Sequence, residues 1–160
     1  MYVPGTGYMP AAKRFEDLRM WQQARALSNL TYQLTAQPAF RDSDLRSQMR
    51  RAAVSVMSNI AEGFGRGSNE EFSYFLYIAK GSVAELQSQL YLCLDLQYVS
   101  KMQSQEAARL CDETARLIQA FAKSVRSAGK SSFRHRRQQI PWAVRVQQVM
   151  KEIQEEAKEE

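Results

Sequence analysis

Phe72-Ser-Tyr-Phe-Leu76-Tyr-Ile-Ala79-Lys-Gly-Ser-Val83-Ala-Glu-Leu86-Gln-Ser-Gln-Leu90-Tyr-Leu-Cys93 repeats an apolar side chain at alternating spacings of four and three residues over three heptads. An α-helix turns once every ~3.6 residues, so this alternation puts all seven side chains on one stripe. A strand would need alternation at every second residue, which the segment lacks. The start of the helix is marked as well. Ser68 followed by Glu71 is a capping box, in which side chain and backbone satisfy each other's free donors.

Three further segments carry the same periodicity. Phe15, Leu18, Trp21, Ala24, Leu27, Leu30 and Leu34 predict a helix from about Phe15 to Ala36, stopped by Pro38. Leu45, Met49, Ala52, Val56 and Ile60 predict a second, capped by Asp42 or Ser43 and ended at Gly63. Ser100 and Gln103 form another capping box, and Leu110, Thr114, Leu117, Phe121 and Val125 continue a buried face towards Gly129. Short connections force successive helices to run antiparallel. The expected fold is therefore all-α, an up-down-up-down four-helix bundle with a basic C-terminal extension containing a short helix. The expected organisation is a flexible leader over 1–13, the bundle over 14–129, and over 130–160 a basic linker, an amphipathic helix and an acidic tip. Phe75, Tyr74, Tyr77, Ile78, Tyr91 and Leu94 lie off the stripe of the third helix. Either that helix is unusually central, or a second face meets another copy of the chain; we favour self-association.

Hydrophobic residues make up 44% of the 160-residue chain, enough to build a core. No run approaches the ~18 apolar residues of a membrane span, and the N-terminal stretch lacks the basic-then-apolar pattern of a signal peptide. The expected compartment is the cytoplasm. Charge is unevenly distributed. Residues 1–113 hold twelve basic and twelve acidic side chains, whereas 114–151 hold nine basic and no acidic ones. The last nine residues set five glutamates against one lysine. A neutral body therefore carries a basic arm with an acidic tip.

Chemistry-bearing patterns are sparse. Gly63-Phe-Gly-Arg-Gly-Ser-Asn69 superficially resembles a phosphate cradle, but no strand precedes it and the terminal Lys-Ser/Thr pair of a P-loop is missing. It reads as a helix stop joined to a helix cap. His135 is the only histidine, so neither a metal site nor a nucleophile with its base is expected. Cys93 and Cys111 occupy core-like positions and read as buried thiols. No catalytic residue, metal or cofactor is expected. Arg51, Ser55, Ser58 and Glu62 fall on one helical stripe with Asn59 beside it, and Ser82 and Glu85 offer a matching patch on the third helix. We expect these seven residues to form a structural polar layer, with Arg51 facing Glu85, because buried charge demands pairing.

The same residues carry a resemblance. Phe15-x-x-Leu18-x-x-Trp21-x-x-Ala24, then Gln48-x-Arg50-Arg51-Ala-Ala-x-Ser55-x-x-Ser58-Asn59-Ile60-Ala61-Glu62-Gly63, then Ala79-x-Gly81-Ser82-x-x-Glu85-Leu86 resemble a four-helix-bundle family. That family includes proteins encoded in intervening sequences of bacterial large-subunit ribosomal RNA genes. The resemblance spans roughly residues 15–125 and implies a bundle that forms homopentameric rings, with no established enzymatic activity. Related bundles are accessory subunits of retroelement reverse transcriptases, binding RNA and the polymerase through basic surfaces. Met57 stands where such sequences often carry proline, and the extension after Gly129 is unlike compact members.

The extension is therefore read from its own residues. Arg134-His-Arg-Arg137 beside Phe133 joins clustered cations to a ring that can stack on an unpaired base. A solvated linker and a nucleic-acid contact both fit this run, and an acidic protein or membrane partner is the remote third reading. The leading expectation is a non-enzymatic homo-oligomer, pentameric by resemblance, that binds RNA or DNA and assists a reverse transcriptase or other RNA-acting enzyme. Phosphate contacts are expected from Arg116, Lys123, Arg126, Lys130, Arg134, Arg136 and Arg137, with Phe133 stacking. The competing expectation is a protein-interaction scaffold whose Trp142–Ile153 helix docks on a partner or neighbouring subunit.

Overall fold

The computed structural model describes residues 12–127 and 141–156. A 3-10 turn over Phe15–Asp17 leads into α1 (Arg19–Thr35), α2 (Ser43–Arg66), α3 (Asn69–Asp95) and α4 (Lys101–Ser127), with α5 (Trp142–Glu156) beyond. No strand occurs among the described residues. The chain is a four-helix bundle in which α1 packs on α2 and α4, and α3 packs on α2 and α4, with no close approach across either diagonal. Cross-helix pairs give the directions. Lys80 and Gln87 on α3 meet Gln119 and Asp112 on α4, in reversed order.

Local chemistry explains the helix ends. Asp42 caps α2 by accepting from the amides of Asp44 and Leu45 at 3.0 and 2.8 Å. Ser68 accepts from the Glu71 amide at the start of α3. The Ser100–Gln103 box is reciprocal, with each side chain accepting from the other residue's amide. Each cap satisfies amide donors that a helix start leaves free.

The expected end of α2 is corrected. The helix runs through Gly63 to Arg66, and Gly67 is the left-handed cap at φ 82°. Gly63 is instead buried against α3, where a Cβ would lie 2.7 Å from Phe75 Cβ and 2.9 Å from Phe72 Cδ2. Its missing side chain permits contact between helices rather than a turn. Smaller adjustments occur elsewhere. Trp21 and Leu30 are half-buried while Met20 and Thr31 are buried, and on α4 Ile118 and Ala122 fill the core ahead of Leu117 and Phe121.

All seven stripe residues of α3 are buried, together with Met49, Val56 and Ile60 of α2 and Leu27 of α1. Outside that seam α3 remains exposed: Tyr74, Tyr77, Ile78, Tyr91, Leu92 and Leu94 face solvent. Among the described residues, nothing wraps this side of the helix. Among the described residues, α5 packs on none of the other helices. The end of the bundle expected at 129 lies outside the described residues. No helix of the described residues is long and apolar enough to cross a membrane.

Candidate nucleic-acid interface

Arg116, Lys123 and Arg126 are spaced by seven and three residues, so the turn of α4 carries them along one exposed stripe. The structure brings Lys123 and Arg126 beside α3, forming a groove of about 500 Å³ between the two helices. Leu76, Ile118 and Ala122 make its apolar floor, and Tyr77, Lys80, Lys123 and Arg126 its rim. Arg116 lies further up α4, outside the groove.

Hydrogen bonds hold this rim in place. Arg126 Nη1 donates to the Tyr77 hydroxyl at 3.0 Å, and Lys80 Nζ donates to Gln119 Oε1 at 2.8 Å. Each contact is with a neutral group, so each cation keeps its full charge for a ligand. From 72 to 84 on α3 and from 114 to 127 on α4 there is no aspartate or glutamate. Among the described residues, Lys80, Arg116, Lys123 and Arg126 form no ion pair, whereas Arg109 on the upper part of α4 is bracketed by Glu106 and Glu113. The lower α3–α4 face is thus a patch of unneutralised cations around an exposed aromatic ring.

Lys80 and Tyr77 extend the expected set. Lys80 is the only charged residue in a thirteen-residue stretch of α3, which was the available signal, but its partner helix was not visible from spacing. Lys130, Phe133, Arg134, Arg136 and Arg137 lie outside the described residues. On α5, Arg145 pairs with Glu152 at 3.1 Å and Lys151 with Glu155 at 3.6 Å. These glutamates of the acidic tip neutralise cations of their own helix, not those of α4.

The polar layer takes a narrower form than expected. Ser55 and Ser82 bond across α2 and α3 at 2.9 Å, and Asn59 donates to both the carbonyl and the hydroxyl of Ser55. The Arg51–Glu85 pair is not made. Both side chains are exposed, and each bonds a neighbour one turn away on its own helix, Arg51 to Ser47 and Glu85 to Gln89. Glu62 likewise pairs with Arg66, and Ser58 is exposed. Arg66 also lies over the Phe75 ring, 5.4 Å from its centroid, so its charge is engaged within the chain.

The thiols are inert by environment. Burial, with a smaller contribution from Asp42, pushes Cys93 up to about 11; burial and then Asp112 push Cys111 up to about 12. Both stay protonated near neutrality, and a thiol is a poor nucleophile compared with its thiolate. No group of three or more His, Cys, Asp or Glu side chains able to hold a metal occurs among the described residues.

Comparison with known proteins is consistent with this architecture. The family described as 23S rRNA-intervening sequence protein matches residues 16–120. A solved structure of a protein of unknown function from the S23 ribosomal protein family of Bacteroides thetaiotaomicron VPI-5482 aligns with a TM-score of 0.60 at 19% identity. The alignment covers 65% of this chain and 98% of that one. At that identity the likeness establishes the shared helical fold. No curated protein matches the chain.

Proposed function

The chain belongs to the 23S rRNA-intervening sequence protein family, and from that premise we propose that it is a non-enzymatic, self-associating bundle that binds RNA or DNA. The observation that carries this reading is the α3–α4 groove, where Lys80, Lys123 and Arg126 surround Tyr77 without a carboxylate among the lining residues. Cations neutralise phosphates and release counterions, while a tyrosine ring can stack on an unpaired base. Single-stranded RNA fits this combination better than duplex, whose bases are already stacked. Arg134, Arg136 and Arg137 extend the contact in this reading. The exposed apolar face of α3 is its self-association surface, as a homopentamer in the cytoplasm, and the bundle assists a reverse transcriptase or other RNA-acting enzyme.

The test is fluorescence anisotropy of a labelled single-stranded RNA titrated with the protein at several salt concentrations. Each neutralised phosphate contributes about −0.7 to the slope of log affinity against log salt. Replacing Lys123 and Arg126 with alanine flattens the slope by roughly 1.4 per protomer. Alanines at Arg134, Arg136 and Arg137 flatten it further. Affinity indifferent to salt and to both sets of substitutions removes the reading.

A second reading, the interaction scaffold, is favoured by α5. That helix packs on none of the others among the described residues, yet carries Val146, Val149 and Ile153 at helical spacing. Truncation after Ser127 separates the two. Loss of the assembly supports docking by α5 on a neighbouring subunit, whereas weaker RNA binding by an intact assembly supports the first reading.

A further inference from the structure

A second basic concavity lies at the opposite corner of the bundle, between the C-terminal half of α1 and the N-terminal half of α2. This groove of about 620 Å³ is lined by Tyr32, Ser43, Arg46, Ser47, Arg50 and Arg51, with Val54 and Ser55 at its end. Among the described residues, no carboxylate lines it. Asp42 is committed to capping α2, and Asp44 is exposed and forms no ion pair with the three arginines.

The arginines are preorganised rather than loosely solvated. Arg50 Nε donates to Thr35 Oγ1 at 2.8 Å, while its guanidinium lies over the Tyr32 ring, 4.6 Å from the centroid. Arg46 Nη2 donates to the Phe40 carbonyl, and the same guanidinium sits 6.0 Å from the Phe40 ring centroid. Arg51 Nη1 donates to the Ser47 hydroxyl at 2.7 Å. These contacts use a few of the five donors on each guanidinium. Arg46 Nε, moreover, is buried without a hydrogen-bond partner. Packing alone does not account for three like charges on one wall. Two of them are fixed by the fold, and like charges held together repel unless an anion joins them.

We propose that the α1–α2 groove, through Arg46, Arg50 and Arg51, is a binding site for a terminal phosphomonoester. Guanidinium groups match phosphate oxygens with paired donors. A terminal phosphate carries close to two charges near neutrality, whereas an internal phosphodiester carries one. Three clustered cations, two of them fixed by the fold, therefore select the end group over the backbone. The same chemistry is offered by a 5′-phosphorylated RNA end and by a free mononucleotide. The site stands apart from the α3–α4 face, since it uses the other two helices and the other end of the bundle.

The experiment measures binding of the full chain to a short oligoribonucleotide bearing either a 5′-phosphate or a 5′-hydroxyl. The phosphorylated form binds at least fivefold more tightly. Arg51→Gln, at an exposed position, and Arg50→Lys, which keeps charge but loses the fork, each reduce that preference to below twofold. The Lys123→Ala/Arg126→Ala variant weakens both oligonucleotides equally and keeps the preference, so failure of the α3–α4 reading is told apart from failure of this one. Adenosine monophosphate competing as strongly as the phosphorylated strand assigns the site to free nucleotide; weak competition assigns it to a strand end. Equal affinity for the two oligonucleotides, or a preference untouched by Arg51→Gln, overturns the proposal. Circular dichroism of each variant verifies the fold, and Arg51→Gln remains a test if Arg50→Lys does not fold.

Discussion

Gly63 and Gly65 sit two residues apart on α2 and make opposite predictions. A Cβ at Gly63 would meet Phe75 Cβ at 2.7 Å, an atom that cannot move unless the backbone of α3 moves with it. Alanine gains about 1 kcal/mol over glycine in a helix interior, but overpacking costs about 1–3 kcal/mol. Gly63→Ala therefore lowers stability by about 1 kcal/mol net, measured by urea unfolding. Gly65 has open space around its Cβ position, so Gly65→Ala raises stability by a few tenths to about 1 kcal/mol. If both substitutions shift the midpoint in the same direction, Gly63 has no close-approach role. The cysteines make a pH prediction. Their folded values lie above the ordinary thiol range, at about 11 and about 12, so the native state holds protons that the unfolded chain releases. The thiols' contribution to stability is thus flat below about pH 8.5 and falls as pH rises through the window up to those values. Native protein resists a thiol reagent at pH 8 and reacts on unfolding. Replacing both cysteines with alanine removes the alkaline dependence due to them.

At the scale of elements, the stripe of α3 and the boxes at Ser68 and Ser100 were readable because capping and periodicity are local properties. The Asp42 cap belongs with them. Asp42→Ala leaves the Asp44 and Leu45 amides without their acceptor and costs about 1 kcal/mol, read as a lowered thermal midpoint. What spacing along one helix does not report is the neighbour across the interface. Gly63 looked like a stop because a glycine at a helix end and a glycine under a phenylalanine are identical in sequence. Arg51 and Glu85 looked like partners because each lies on a stripe facing the other helix. Both nevertheless reach solvent, where a contact within the same helix needs less ordering than one across it. Lys80 escaped notice for the converse reason, since its place in the groove depends on α4 approaching α3. Helix packing also joined Arg46, Arg50 and Tyr32 into a groove that no single segment displays.

For the whole molecule, the proposed self-association through the exposed apolar face of α3 would set how many grooves one ligand meets. Ile78 and Leu92 are two heptads apart and exposed, on the side of α3 turned away from its core seam. A monomer leaving such a face wet is unusual, and large apolar patches mark interaction surfaces. In the proposed assembly the cationic grooves of several copies would reach one RNA, and each further contact would be intramolecular once the first has formed, so affinities would compound by factors of roughly 10²–10⁴. Ile78→Glu with Leu92→Glu inserts charges into that surface without touching the buried stripe. Light scattering then shows a fall to monomer mass with helical content retained. Anisotropy shows RNA affinity lower by about two orders of magnitude or more. The salt slope carries the mechanism. If copies act together, the assembly's slope sums the phosphates met by several grooves, and dissociation reduces it to that of one groove, about −0.7 for each of its contacts. A slope that survives dissociation unchanged means each copy binds alone, and self-association then serves something other than RNA capture.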